Sequence, residues 1–98
     1  MGKVLIKWSG NWADEMDLDG FQIMDEEKWK ISEERLRRSE NYIEIYVGTN
    51  EEIDYRNGKD FLKSLTIISI SDDQFDFIKK TFGKTWGIFP LNQALDSL

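Results

Sequence analysis

The longest unbroken run of apolar residues in this chain is three, Val4-Leu5-Ile6. A membrane-spanning helix needs about 20 such residues, and the core of a secretory signal needs about 7–15. Neither is expected here, and the core has to be assembled from short elements that each turn one side inward. The chain has 98 residues, of which 40% are hydrophobic and 33% charged. That balance is too apolar for a disordered chain. It fits one small domain spanning residues 1–98, with a thin core, since a chain of this size buries roughly 65% of its unfolded surface.

Taken in order, Lys3 to Trp8 reads as a strand built on Val4-Leu5-Ile6, followed by turn-rich Ser9-Gly10-Asn11. Trp8 falls at a core position of that strand. Glu15 to Met24 reads as a second extended stretch. Met16 and Leu18 alternate with acids, then Phe21 and Ile23 alternate on a shifted register, so a bulge is expected at Gly20. Asp25 to about Arg38 predicts a helix, with Asp25 as N-cap, Glu26 and Glu27 at the positive end of the dipole and Arg35, Arg37 and Arg38 at the other. Trp29 and Leu36 share its inner face, and Ile31 lies off it. Glu33–Arg37 and Glu34–Arg38 are spaced for ion pairs one helical turn apart.

Tyr42 to Val47 is the clearest strand, and Glu52 to Arg56 returns beside it across Gly48-Thr49-Asn50 as a hairpin. Asn57-Gly58 is a strong two-residue turn signal. Lys59 to Leu65 suits a short helix, Thr66 to Ile70 a strand. Ser71 is a good N-cap for a helix whose Phe75, Ile78 and Phe82 predict a buried face, closed by Gly83. Trp86 to Phe89 reads as a last strand stopped by Pro90. Leu91, Leu95 and Leu98 suit a short amphipathic turn or docking onto the body. The expected class is α+β: a single, mainly antiparallel or mixed sheet of five to six strands with two to three helices.

Composition excludes much chemistry. The chain has no cysteine and no histidine. Disulfides, thiolate nucleophiles, zinc sites of standard make-up and histidine-based triads are therefore absent. No phosphate-cradling glycine motif occurs. The expectation is a protein that is not an enzyme and carries no cofactor. Net charge is −6, so nucleic acid and anionic membrane would be repelled. The lack of cysteine and of a secretion signal points to a cytoplasmic protein.

One stretch is lopsided. From Ser9 through Glu27 there are seven acids and no Lys or Arg. Glu15-x-Asp17-x-Asp19-Gly20-x₅-Glu26 approaches the spacing of an EF-hand calcium loop. Glu in place of Asp at the first position, Gln22 in place of an apolar residue and the lack of a preceding helix all depart from that motif. A solvated acidic strand edge is the better reading, and no metal ligands are assigned. What remains is a surface: Asn11, Trp12, Asp14, Glu15, Asp17 and Asp19 are the candidate protein-binding residues, because Trp anchors interfaces and clustered acids steer basic partners.

At Gly10-Asn11-Trp12-Ala13-Asp14-Glu15, with Gly20-Phe21, Gly48-Thr49-Asn50-Glu51-Glu52, Ile70-Ser71 and Gly87-Ile88-Phe89-Pro90, the chain resembles small uncharacterised phage and prophage proteins. The resemblance runs over nearly the whole chain and implies a phage-associated protein of the host cytoplasm that acts by binding. A protein-binding module, an inhibitor or modulator of a host protein, is accordingly the expected function. An acidic DNA mimic is the alternative, weakened by the five basic residues among Lys28 to Arg38. A calcium module and an assembly role through the leucine tail or a free sheet edge complete the set.

Overall fold

β1 (Lys3–Trp12) and β2 (Met16–Asp25) form an antiparallel pair in unbroken register, from Lys3 opposite Asp25 to Trp12 opposite Met16. The rest of the chain is arranged around it. The computed structural model describes residues 2–12, 16–48 and 50–98, and only the backbone of Trp12 and Met16. After the hairpin come α1 (Glu26–Arg38), β3 (Ile43–Tyr46), β4 (Glu52–Tyr55), α2 (Gly58–Leu62), β5 (Leu65–Ile70), α3 (Asp72–Phe82), β6 (Thr85–Gly87) and α4 (Leu91–Asp96).

The class is α+β, but the strands divide into two antiparallel sheets where one was expected. Four form a sheet in the order β5-β1-β2-β6, and β3 and β4 form a second, two-stranded sheet. Four helices accompany them among the described residues. The division has a packing cause. Ile43 and Ile45 of β3 are fully buried in the same core as Val4, Ile6 and Trp8, so the hairpin lies over the main sheet as a cover and does not extend its edge.

Opposed residues of an antiparallel pair share a face, which sorts the hairpin cleanly. Val4, Ile6, Trp8, Leu18 and Met24 point to one side, where Trp29 and Leu36 of α1, Phe61 of α2, Leu65, and Leu91 and Ala94 of α4 complete the main core. Lys3, Leu5, Lys7, Phe21 and Ile23 point to the other side, which α3 covers. β2 thus serves the first layer with Leu18 and Met24 and the second with Phe21 and Ile23. The shift of its alternation is this change of layer. The bulge expected at Gly20 does not form, since Gly20 sits in register opposite Trp8 and Gly87. It is glycine because a Cβ there would overlap the backbone of Ile88.

Other local expectations meet different outcomes. The chain does not turn at Ser9-Gly10-Asn11, as β1 continues to Trp12. Trp8, Trp29 and Leu36 are buried and Ile31 is exposed, as their spacing requires. Asp25 occupies the N-cap position of α1, yet its carboxylate makes no cap bond and instead pairs with Lys3. Asn57-Gly58 is no hairpin turn: the Asn57 side chain accepts from the Asp60 N–H at 2.9 Å and caps α2. Ser71 and Gln74 form a reciprocal capping box on α3, which ends at Gly83 with φ +83°. The last strand is only Thr85–Gly87, shorter than expected. The tail docks: Leu91 and Ala94 are buried, and the Gln93 amide bonds both the N–H (2.9 Å) and the C=O (3.0 Å) of Tyr46.

The two faces of the main sheet are unequally covered. No residue of α3 is fully buried. Phe75 and Ile78 are half-buried and Phe82 is exposed, so the closed inner face predicted from their spacing is an open one. The spacing is right for contact with β1 and β2, but among the described residues no third element packs closely on α3 to close it.

Candidate protein-binding surface

Asn11 and Asp17 stand directly opposite each other near the end of the β1–β2 hairpin, and Asn11 Nδ2 donates to Asp17 Oδ1 at 2.7 Å. Asp19 follows on the same face, opposite Ser9. With Gly10 and Leu18 these residues line an open depression of about 460 Å³. All three of Asn11, Asp17 and Asp19 are exposed. They belong to the α3 side of the sheet, since they continue the alternation of Phe21 and Ile23. Asp14, Glu15 and the side chain of Trp12 lie outside the described residues. Of the six candidates, three are therefore shown to share a surface.

The calcium-like spacing is spent otherwise. Asp17 to Gly20 is paired strand, and Glu26 opens α1. Among the described residues, no three acidic side chains converge in a way that could hold a metal ion.

Sequence reasoning missed what lies beside the acids. Phe21 is two residues beyond Asp19 on the same strand, which places it on the same face about 7 Å along. Its ring stacks on Trp86 of β6 (centroids 5.7 Å apart) and meets Phe82 of α3 edge-on (6.2 Å). Phe82 and Trp86 nevertheless remain 50% and 48% exposed. The sequence offered one usable signal, the separation of Asp19 and Phe21 by a single residue within a strand. The juxtaposition with Trp86 depends on β6 pairing with β2, which no local pattern encodes.

A second acidic strip was also unforeseen. On the outer face of the small sheet Glu44 stands opposite Asp54, and Tyr46 opposite Glu52. Like charges opposed across strands disfavour each other. The Glu52 carboxyl is raised, first by a hydrogen bond with Asp54, then by partial desolvation and the charges of Asp54 and Glu44. The Tyr42 hydroxyl is pushed up to about 12, chiefly by its hydrogen bond to Asp54. Tyr46 is raised by the negative charges of Glu52 and Glu44. On the α3 side, Lys3 is held by Asp25 and lies 4.9 Å from the centre of the Phe75 ring, and a depression of about 500 Å³ opens between Lys3, Phe75, Asp72 and Asp76. The hydrogen bond to Asp25 raises the Lys3 ammonium pKa and lowers that of the Asp25 carboxyl.

This surface offers two aromatic faces, a row of carboxylates and main-chain groups at a sheet edge. No protein-family model matches the chain, and neither a curated protein nor a solved structure does so.

Proposed function

We propose that the protein is a binding module for another protein, with Phe82 and Trp86 as its apolar anchors and Asp17 and Asp19 as its charged flank. The observation that carries this reading is the half-exposed stack of Phe21, Trp86 and Phe82 next to an acidic strand end on the thinly covered side of the sheet. Large aromatics left half in water beside charged residues are the composition of an interface core and its rim. The carboxylates favour a partner with a basic patch and speed its approach. The resemblance to phage and prophage proteins adds the role, that of an inhibitor or modulator of a host protein in the cytoplasm.

The test is affinity capture from a bacterial lysate with the wild-type chain and with Trp86→Ala/Asp19→Lys, each checked for an unchanged circular dichroism spectrum. Loss of a specific captured protein with the double variant supports the surface. Equal recovery by both chains overturns it. Release of the captured protein by duplex DNA in low salt, but not in high salt, would instead make the chain an acidic DNA mimic.

A further inference from the structure

We infer that the free edge of β5 is a self-pairing surface, by which two copies of this chain join their main sheets into one continuous antiparallel sheet of eight strands. β5 is the terminal strand of the order β5-β1-β2-β6. Edge strands of monomeric proteins are usually protected by charges, prolines, bulges or brevity. β5 has none of these. From Ser64 to Ser71 there is no charged residue and no proline, and its register with β1 is unbroken from Lys3–Ile70 to Trp8–Leu65. The opposite edge is blunt by comparison. β6 is three residues long and ends at Gly87, a residue of positive φ.

The outward groups can be assigned. The Ser9 N–H donates to the Ser64 carbonyl at 3.2 Å, continuing the β1–β5 register by one residue. Bonded and non-bonded pairs alternate along an antiparallel ladder, so Thr66, Ile68 and Ile70 direct their main chain at β1. Leu65, Ile67 and Ser69 then direct theirs away from the sheet. On the surface this edge is uncharged, with Ile67 41% and Ile68 47% exposed on opposite faces between exposed Thr66 and Ser69. Beside it Ile70, Phe77 and Ile78, with Asp73 and Gln74, line an apolar-walled depression of about 460 Å³.

A second copy is the occupant that fits, for two reasons. An antiparallel edge-to-edge pair is self-complementary about a two-fold axis normal to the sheet, which is the isologous contact of a symmetric dimer. The ends of β5 also carry opposite charge, with exposed Lys63 before it and exposed Asp72 and Asp73 after it. With the axis at Ile68, Ile67 of each copy pairs through its main chain with Ser69 of the other. The Lys63 end of each copy's strand then approaches the Asp72–Asp73 start of the other copy's α3. Both α3 helices fall on the same side, so Phe77 of each copy flanks the joint. The Phe82–Trp86 surface lies at the far edge of each sheet, so the self-pairing is independent of the partner binding proposed above.

The experiment is sedimentation velocity of the intact chain over a range of concentrations. The wild type is expected to show a monomer–dimer equilibrium. Ile68→Lys, which puts two like charges on the axis, is expected to be monomeric with an unchanged circular dichroism spectrum. Lys63→Asp should weaken the dimer roughly tenfold or more by opposing like charges, and the double exchange Lys63→Asp/Asp73→Lys should restore it. The charge exchange keeps the idea open to refutation if Ile68→Lys fails to fold. A wild type that stays monomeric up to roughly 1 mM, or a dimer indifferent to Ile68→Lys and to the charge exchange alike, overturns the inference.

Discussion

The indole Nε1 of Trp8 donates a hydrogen bond of 3.1 Å to the hydroxyl of Tyr55, a polar link between the main sheet and the small one beside the apolar packing of Ile43 and Ile45 in the same core. Trp8 is fully buried, while Tyr55 is half-buried and meets the Phe61 ring edge-on at 5.1 Å. Tyr55→Phe keeps the ring contact and removes the acceptor. A buried donor left without a partner costs about 1–3 kcal/mol, and the partial exposure of Tyr55 gives water some access. A loss of about 1–1.5 kcal/mol is therefore expected, read as a lower urea midpoint at unchanged slope. No measurable shift would mean that water already serves the indole as well as Tyr55 does.

Gly58 is the first residue of α2 and is buried against α1, where a Cβ would overlap the carbonyl oxygen of Leu36. The obstacle is steric and lies in backbone, which cannot swing away like a side chain. Gly58→Ala should cost about 3 kcal/mol, the upper end for overpacking. Chemical denaturation is the measurement. A neutral result would show that α1 and α2 can separate without loss of packing.

Much of this architecture is written locally. The Trp29–Leu36 stripe of α1, the Ser71 cap and the β3–β4 hairpin follow from spacings within a dozen residues, and they appear where those spacings put them. What is not local is the choice of neighbour. That β3–β4 covers the main sheet and does not extend it depends on Ile43 and Ile45 joining the same core as Trp8, more than thirty residues away in the chain. Gly20 suggested a bulge because its effect on alternation is the same whether the chain slips register or changes the layer it serves. The candidate surface suffered similarly. Asn11, Asp17 and Asp19 share a face because of strand alternation, which is legible. Phe82 and Trp86 join them through β6 and α3, and their exposure depends on how little else covers that side.

Charge on the small sheet gives a pH-dependent prediction. The Glu52 carboxyl is raised in the folded state by its hydrogen bond with Asp54, by partial desolvation and by the neighbouring carboxylates. It holds its proton more firmly folded than unfolded, so this group favours the folded state at acid pH. The advantage is lost as pH rises through the carboxylate range. Glu52→Gln removes the repulsion and should raise the melting temperature at pH 7. The gain should fade below about pH 4, where the wild-type carboxyl is itself protonated. Scanning calorimetry at both pH values checks it, and a gain that persists undiminished in acid would point to a cause other than charge.

The unequal cover of the two sheet faces predicts unequal tolerance to truncation. Trp29 is 3% exposed, within the core between α1 and the main sheet. Replacing it with Ala leaves a cavity that its neighbours cannot fill, at a cost of about 3–5 kcal/mol. Phe77, on α3, is 65% exposed and gives up little contact when shortened. Phe77→Ala should therefore stay within about 0.5 kcal/mol of wild type, as exposed substitutions do. Equilibrium unfolding of the two variants side by side measures the contrast. If Phe77→Ala destabilises the isolated monomer as severely as Trp29→Ala, the α3 side is a second core and not an open face. If it is neutral in the monomer, the apolar surface around α3 is not there for the stability of the single chain, and its use must be sought in contact with another molecule.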